Sequence, residues 1–85
     1  MENNLYILNE VLSDYTAGMA VIAAPSKERA RELFIKEFGW FENGTADFKD
    51  LHNAGLLREF DKSPVKVIEG VNHPEGVVDY VYGGG

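Results

Sequence analysis

Gly83, Gly84 and Gly85 stand directly behind a strand-like run, Val77-Val78-Asp79-Tyr80-Val81-Tyr82. A glycine tail can do one kind of chemistry. If reactive, it must enter another protein's active site; otherwise the domain simply ends there. The other reactive groups are less suggestive. His52 and His73 are too few and too far apart to define a metal site, and Asp47, Asp50 and Glu75 give them only a generic acidic neighbourhood. Ser13, Ser26 and Ser63 suit turns and helix caps better than nucleophilic attack. The glycines at the end open no helix, so no phosphate-cradling loop is present. The chain has no cysteine, which removes disulfide and thiolate chemistry and is compatible with a reducing cytoplasm. A binding or carrier role, with no catalytic residue, no metal and no cofactor, is expected ahead of an enzyme.

Surface chemistry points the same way. Fourteen acidic residues against eight basic ones leave a net charge of −6. That balance disfavours direct contact with nucleic-acid phosphates and favours a protein partner with a basic surface. Four tyrosines, Tyr6, Tyr15, Tyr80 and Tyr82, are spread over the first hairpin and the last strand. Alternation along a strand sends Tyr80 and Tyr82 to one face. Tyr6 joins them if the last strand neighbours the first. Trp40 lies just past a helix end beside Phe38, where it either closes the core or anchors a partner. Asp14 and Tyr15 sit in a hairpin connection. The expected partner-binding set is Asp14, Tyr15, Trp40, Tyr80 and Tyr82. Gly84 and Gly85 are the carrier tail if the tail is reactive.

These residues need a scaffold, and 85 residues make one domain, residues 1–85. An apolar fraction of 45% supports a real core, although a small one, so a homo-oligomer that buries more apolar surface is an expectation. No apolar run approaches the length needed to cross a bilayer, and Met1-Glu2-Asn3-Asn4 is unlike a signal peptide. A soluble cytoplasmic protein, the host cell's cytoplasm if encoded by a phage, is expected.

Residues 5–12 and 19–24 read as two strands joined by the turn formers of residues 13–18, an antiparallel hairpin in which Gly18 can take a positive φ. Neither strand alternates cleanly, so a helix is expected on one face and a partner or loop on the other. Ser26 is the expected N-cap of a helix whose apolar face is Ala30, Leu33, Phe34 and Phe38, with Gly39 as C-cap. Glu32 and Lys36 are spaced for an i,i+4 pair. Asn43-Gly44 is a turn. Thr45 or Asp47 then caps a short helix through Phe48 and Leu51, with His52 as a further candidate member, that ends near Gly55, and residues 56–60 either extend it or begin a connection. Residues 65–69 form a strand ended by Gly70, and residues 77–82 the last strand. The fold class is α+β, a mainly antiparallel four-stranded sheet in ββα(α)ββ order packed on one main helix.

The hairpin carrying Asp14-Tyr15, Gly18 and Ala20-Val21-Ile22-Ala23-Ala24, followed by Ser26-Lys27-Glu28-Arg29-Ala30-Arg31, resembles a group of short bacteriophage proteins. In that group a "D-Y…G-x-V-V-x-A" hairpin precedes an "S-x-E-x-A-R" helix, and Gly76-Val77-Val78 through Tyr80 resembles their last strand. The resemblance covers most of the chain and carries no catalytic residue. It implies an accessory protein that acts by contact, of the kind that blocks a host defence component (an anti-CRISPR-like inhibitor), with a host or phage protein as partner. The element order and the Gly84-Gly85 ending are also similar to the β-grasp ubiquitin-like and sulfur-carrier proteins, which implies activation at the C-terminal carboxylate. A further alternative is a sponge for a small ligand stacked on the tyrosines.

Overall fold

The structure is a computed structural model that describes residues 2–13, 16–39, 41–42, 45–46 and 51–83, leaving aside the side chains of 41, 42, 45 and 46. Strand β1 (Glu2–Val11) and strand β2 (Gly18–Ala24) pair antiparallel with Tyr6 opposite Ile22 and Leu8 opposite Ala20. Helix α1 (Lys27–Phe38) follows, then a two-residue pair, β3 (Phe41–Glu42) with β4 (Thr45–Ala46). Helix α2 (Leu51–Lys62), strand β5 (Val65–Asn72) and strand β6 (Gly76–Val81) complete the described elements. The main sheet is ordered β5-β1-β2-β6 and is antiparallel throughout. The expected α+β class and ββα(α)ββ order are found.

Local signals account for α1. The Ser26 side chain accepts from the Arg29 amide at 3.2 Å, and the Gly39 amide closes the last turn on the Ile35 carbonyl at 2.8 Å. The buried face is Ala30, Phe34, Ile35 and Phe38, with Leu33 partly covered. Glu32 bonds Arg29 at 2.8 Å, three residues away, in place of the Lys36 pairing expected from spacing.

Of the two alternatives for residues 56–60, extension is found: the helix runs through Gly55 to Lys62, so the sheet is backed by two twelve-residue helices where one main helix was expected. Leu56 and Phe60 explain this: they enter the same core as Phe34, and that burial outweighs the roughly 1 kcal/mol a helical glycine costs. Gly70 does not end β5. It sits at φ +68 inside a bulge opposite Asn4, and the strand continues to Asn72. Thr45, one of two candidate caps, lies in β4, and the other, Asp47, lies outside the described residues, as do Asn43 and Gly44.

Bulges set which face each strand presents. In β1, Tyr6 and Leu8 point toward the helices. An extra residue, Glu10 at φ +62, then slips the register so that Val11 also enters the core. In β6 the bulge at Val78 sends both Val77 and Tyr80 to the helix side. The helix-side rows read Val67–Tyr6–Ile22–Val77 and Val65–Leu8–Ala20–Tyr80. Phe34, fully buried, is central there, its ring centroid 5.2 Å from Phe38 and 5.4 Å from Phe60.

The outer strands β5 and β6 follow each other in sequence but lie on opposite borders of the sheet. Their link, His73-Pro74-Glu75, must cross three inter-strand gaps, roughly 14 Å. Only four Cα steps separate Asn72 from Gly76, so the link is short for that span, and it turns on the way: the His73 amide donates to the Val71 carbonyl at 3.0 Å and the chain bends at Glu75. It is held at both ends of its path. The Asn3 amide donates to the His73 carbonyl at 2.8 Å, and Arg29 bonds Glu75 at 2.8 Å. That bond to Arg29 holds the Glu75 carboxyl below its ordinary range.

Helix α1 is joined to α2 by Arg31, which forms a two-pronged bond with Asp61 at 2.9 and 3.1 Å. The hydrogen bond from Arg31 lowers the Asp61 pKa from its usual carboxylate value. A carboxyl depressed on folding stabilises the folded state above its unfolded pKa, and that contribution is lost as pH falls through the folded value. Both side chains are about half exposed, so screening keeps the effect below roughly 1 kcal/mol. Urea titrations should find Asp61→Asn slightly less stable than wild type at pH 7. The two should converge as pH falls below the depressed titration of the folded Asp61 carboxyl.

Candidate functional site

Tyr80 and Tyr82 are brought together as their spacing implied. Their ring centroids are 5.5 Å apart and nearly perpendicular, and both meet Phe38 edge-on, at 5.1 and 6.0 Å. Such edge-to-face contacts fix ring orientation. The two tyrosines nevertheless remain 45% and 59% exposed. The cluster is thus a buried floor, Phe38, under two half-exposed rings. Tyr6 does not join it. The last strand neighbours β2, not β1, and Tyr6 lies 6% exposed within the core, two strands away.

Beside Tyr82 opens a cleft of about 550 Å³ between the start of α2 and the end of β1, with Leu12, Leu51, His52, Glu59 and Gly83 in its walls. Its base is knit by backbone bonds. The Gly83 amide donates to the Leu12 carbonyl at 2.9 Å, which continues the sheet past β6 and holds Tyr82 in place. The Ser13 amide donates to Glu59 Oε2 at 3.1 Å. His52 Nε2 lies 3.2 Å from the Phe38 carbonyl. A carbonyl only accepts, so Nε2 carries the proton in this contact and caps the end of α1. Leu51 stands at the rim, 89% exposed.

The two histidines belong to different ends of the sheet: His52 beside the end of α1, His73 in the β5–β6 link, where its Nδ1 lies 2.7 Å from the Pro74 carbonyl. Ser26 is a cap, and Ser63 ends α2 with its hydroxyl donating to the Asn9 carbonyl. Among the described residues no group of three or more His, Asp or Glu side chains could hold a metal ion. No helix among them is long and apolar enough to cross a membrane. Of the residues singled out from the sequence, Asp14, Tyr15, Trp40, Gly84 and Gly85 lie outside the described residues.

The sequence places Leu51 in a helix without assigning it a face. It is the most exposed large apolar residue described. The signal was available once the helix is read to Lys62: its inward positions are Asn53, Leu56 and Phe60, and Leu51 is out of phase with them. Phe38 as the floor of the tyrosine pair had no sequence signal, because its partner strand is forty residues away.

The opposite face of the sheet is uncovered by either helix, since both α1 and α2 pack in the single core on the Tyr6–Ile22 side. Comparison with protein-family models, with curated proteins and with solved structures gave no match.

Proposed function

We propose that the protein is a non-catalytic binding domain that grips a protein partner through Tyr80, Tyr82 and the apolar rim at Leu51. The observation that carries this reading is the half-exposed tyrosine pair held rigid on Phe38 beside a cleft. Preset aromatic rings next to an apolar cavity lose little freedom on docking and typify interface hot spots. The acidic balance selects a partner with a basic surface, because Arg29 and Arg31 are already paired with carboxylates of their own chain. The narrower reading, an anti-defence inhibitor encoded by a bacteriophage, rests on the sequence resemblance alone, and so does a cytoplasmic site of action. A small ligand in the cleft is the second reading, supported by a volume within the usual range for such sites.

Capture from bacterial lysate tests the first reading. Wild-type protein should retain a stoichiometric partner, and Tyr82→Ala and Leu51→Asp should each weaken retention by about tenfold or more while the melting temperature stays put. A chain lacking Gly84 and Gly85 should retain the same partner. Loss confined to that truncation would move function to the tail and favour a carrier. Retention indifferent to Tyr82 and Leu51 would overturn the proposed surface.

A further inference from the structure

We propose that the uncovered face of the sheet is the interface of a two-fold homodimer. On that face the rows read Ile68–Leu5–Ala23, Lys66–Ile7–Val21–Asp79 and Asn9–Met19–Val81. Its centre is apolar. Ile68 and Val81 are 40% and 54% exposed, and Leu5, Ile7, Met19 and Val21 are each partly exposed. A solvent-facing antiparallel sheet would ordinarily carry polar residues at those positions. Here both faces of β1 and β2 are built from aliphatic side chains.

The charges on this face single out the occupant. Lys66 and Asp79 sit at the two ends of one row, on opposite borders of the sheet. They are three strands apart, roughly 14 Å, so they cannot pair within one chain. Among the described residues neither makes an ion pair. A two-fold axis running along the strands between two facing sheets lays β5 of one copy over β6 of the other. Because Lys66 and Asp79 share a row, that operation sets each Lys66 against Asp79 of the second copy and Ile7 against Val21. An axis running across the strands would instead oppose Lys66 to Lys66 and Asp79 to Asp79. The surface is therefore self-complementary in one arrangement only, as an isologous interface requires. Small departures of the strands from that axis give the usual angle of about 30° between packed sheets.

The extent suits a weak association. Four strands of six to ten residues present a face of roughly 400–500 Å², so a pair buries about 800–1,000 Å², just under the range for stable specific complexes. This predicts a reversible dimer, not an obligate one. It would leave Tyr80, Tyr82 and the cleft, which lie on the helix side, free for the partner.

Sedimentation equilibrium over a range of protein concentrations tests the proposal. Wild type should associate to a dimer. Lys66→Glu and Asp79→Lys, each reversing one charge, should each weaken association by about tenfold or more, and Lys66→Glu/Asp79→Lys together should restore it. Val21→Asp, at the centre, should abolish it, with circular dichroism confirming that each variant is folded. A wild type that stays monomeric, as it would if the face were reserved for a different protein, overturns the proposal. So does a dimer whose strength ignores both reversals, since it would use another surface.

Discussion

Phe34→Ala is expected to lower stability by about 3–5 kcal/mol, the cost of removing a fully buried aromatic ring and leaving a cavity behind. Phe34 is the hinge between layers. Its ring touches Phe38 of its own helix and Phe60 of α2, and it shares one buried cluster with Leu8 and Ile22 of the two central strands. Three elements lose contacts at once, so collapse around the gap is limited. An 85-residue domain commonly has a total stability of only about 4–13 kcal/mol. The variant should therefore be substantially unfolded on mild warming, with its urea midpoint lowered and its slope unchanged. Phe34→Leu keeps most of the volume and should lose less than half as much. If Phe34→Ala costs under 1.5 kcal/mol, roughly the lower limit for a filled core site, the two helices do not share one core.

Gly18→Ala is expected to cost about 2–3 kcal/mol, for the opposite reason: an atom is added where none fits. A β-carbon at this position would stand 2.3 Å from the Val81 carbonyl, 2.7 Å from the Val11 carbonyl and 2.8 Å from the Gly83 nitrogen. All three are backbone atoms, which cannot swing aside as a side chain would. The glycine was expected to supply a positive φ in the hairpin turn. Its φ is not positive. Glu10 and Leu12 take the left-handed conformation instead, and Gly18 is required where three stretches of backbone converge. Adding the methyl group should push β6 away from β2 at its C-terminal end, freeing Tyr82 and weakening partner capture as well as stability. Hydrogen exchange at Met19 and Val81 would locate the damage. Gly55→Ala is the control. Nothing lies within 4 Å of a β-carbon there, and in a helix the change should stabilise by about 0.5–1 kcal/mol. Equal effects at both positions would show that the close approach at Gly18 does not govern stability.

The contrast between α1 and the sheet explains how much of this fold was legible in the sequence. Ser26, the 3.6-residue spacing of Ala30, Phe34 and Phe38, and Gly39 all act within a dozen residues, so the helix could be read with its caps. The four strands were also visible, as was the shared face of Tyr80 and Tyr82. The order β5-β1-β2-β6 was not, because nothing in residues 65–82 signals that two consecutive strands part to opposite borders. The bulges at Glu10 and Gly70 were hidden for a related reason. β1 is apolar on both faces, so a one-residue slip leaves no trace in its hydrophobic pattern. The candidate site follows the same division. Tyr80 and Tyr82 came from local alternation. Phe38 beneath them and Leu51 beside them come from long-range packing that no local pattern encodes.

The three-residue link His73-Pro74-Glu75 has a consequence for how this sheet assembles. Neither border strand has its sequence neighbour beside it, so each must find β1 or β2 across a large separation along the chain, which slows folding. Once β5 has zipped onto β1, however, the three-residue link confines Gly76 to the edge of β2. The second strand is then delivered at a very high effective concentration. The reverse holds for melting: so short a tether couples the release of one border strand to that of the other. The two edges of the sheet, which never touch, should form and dissolve in a single step.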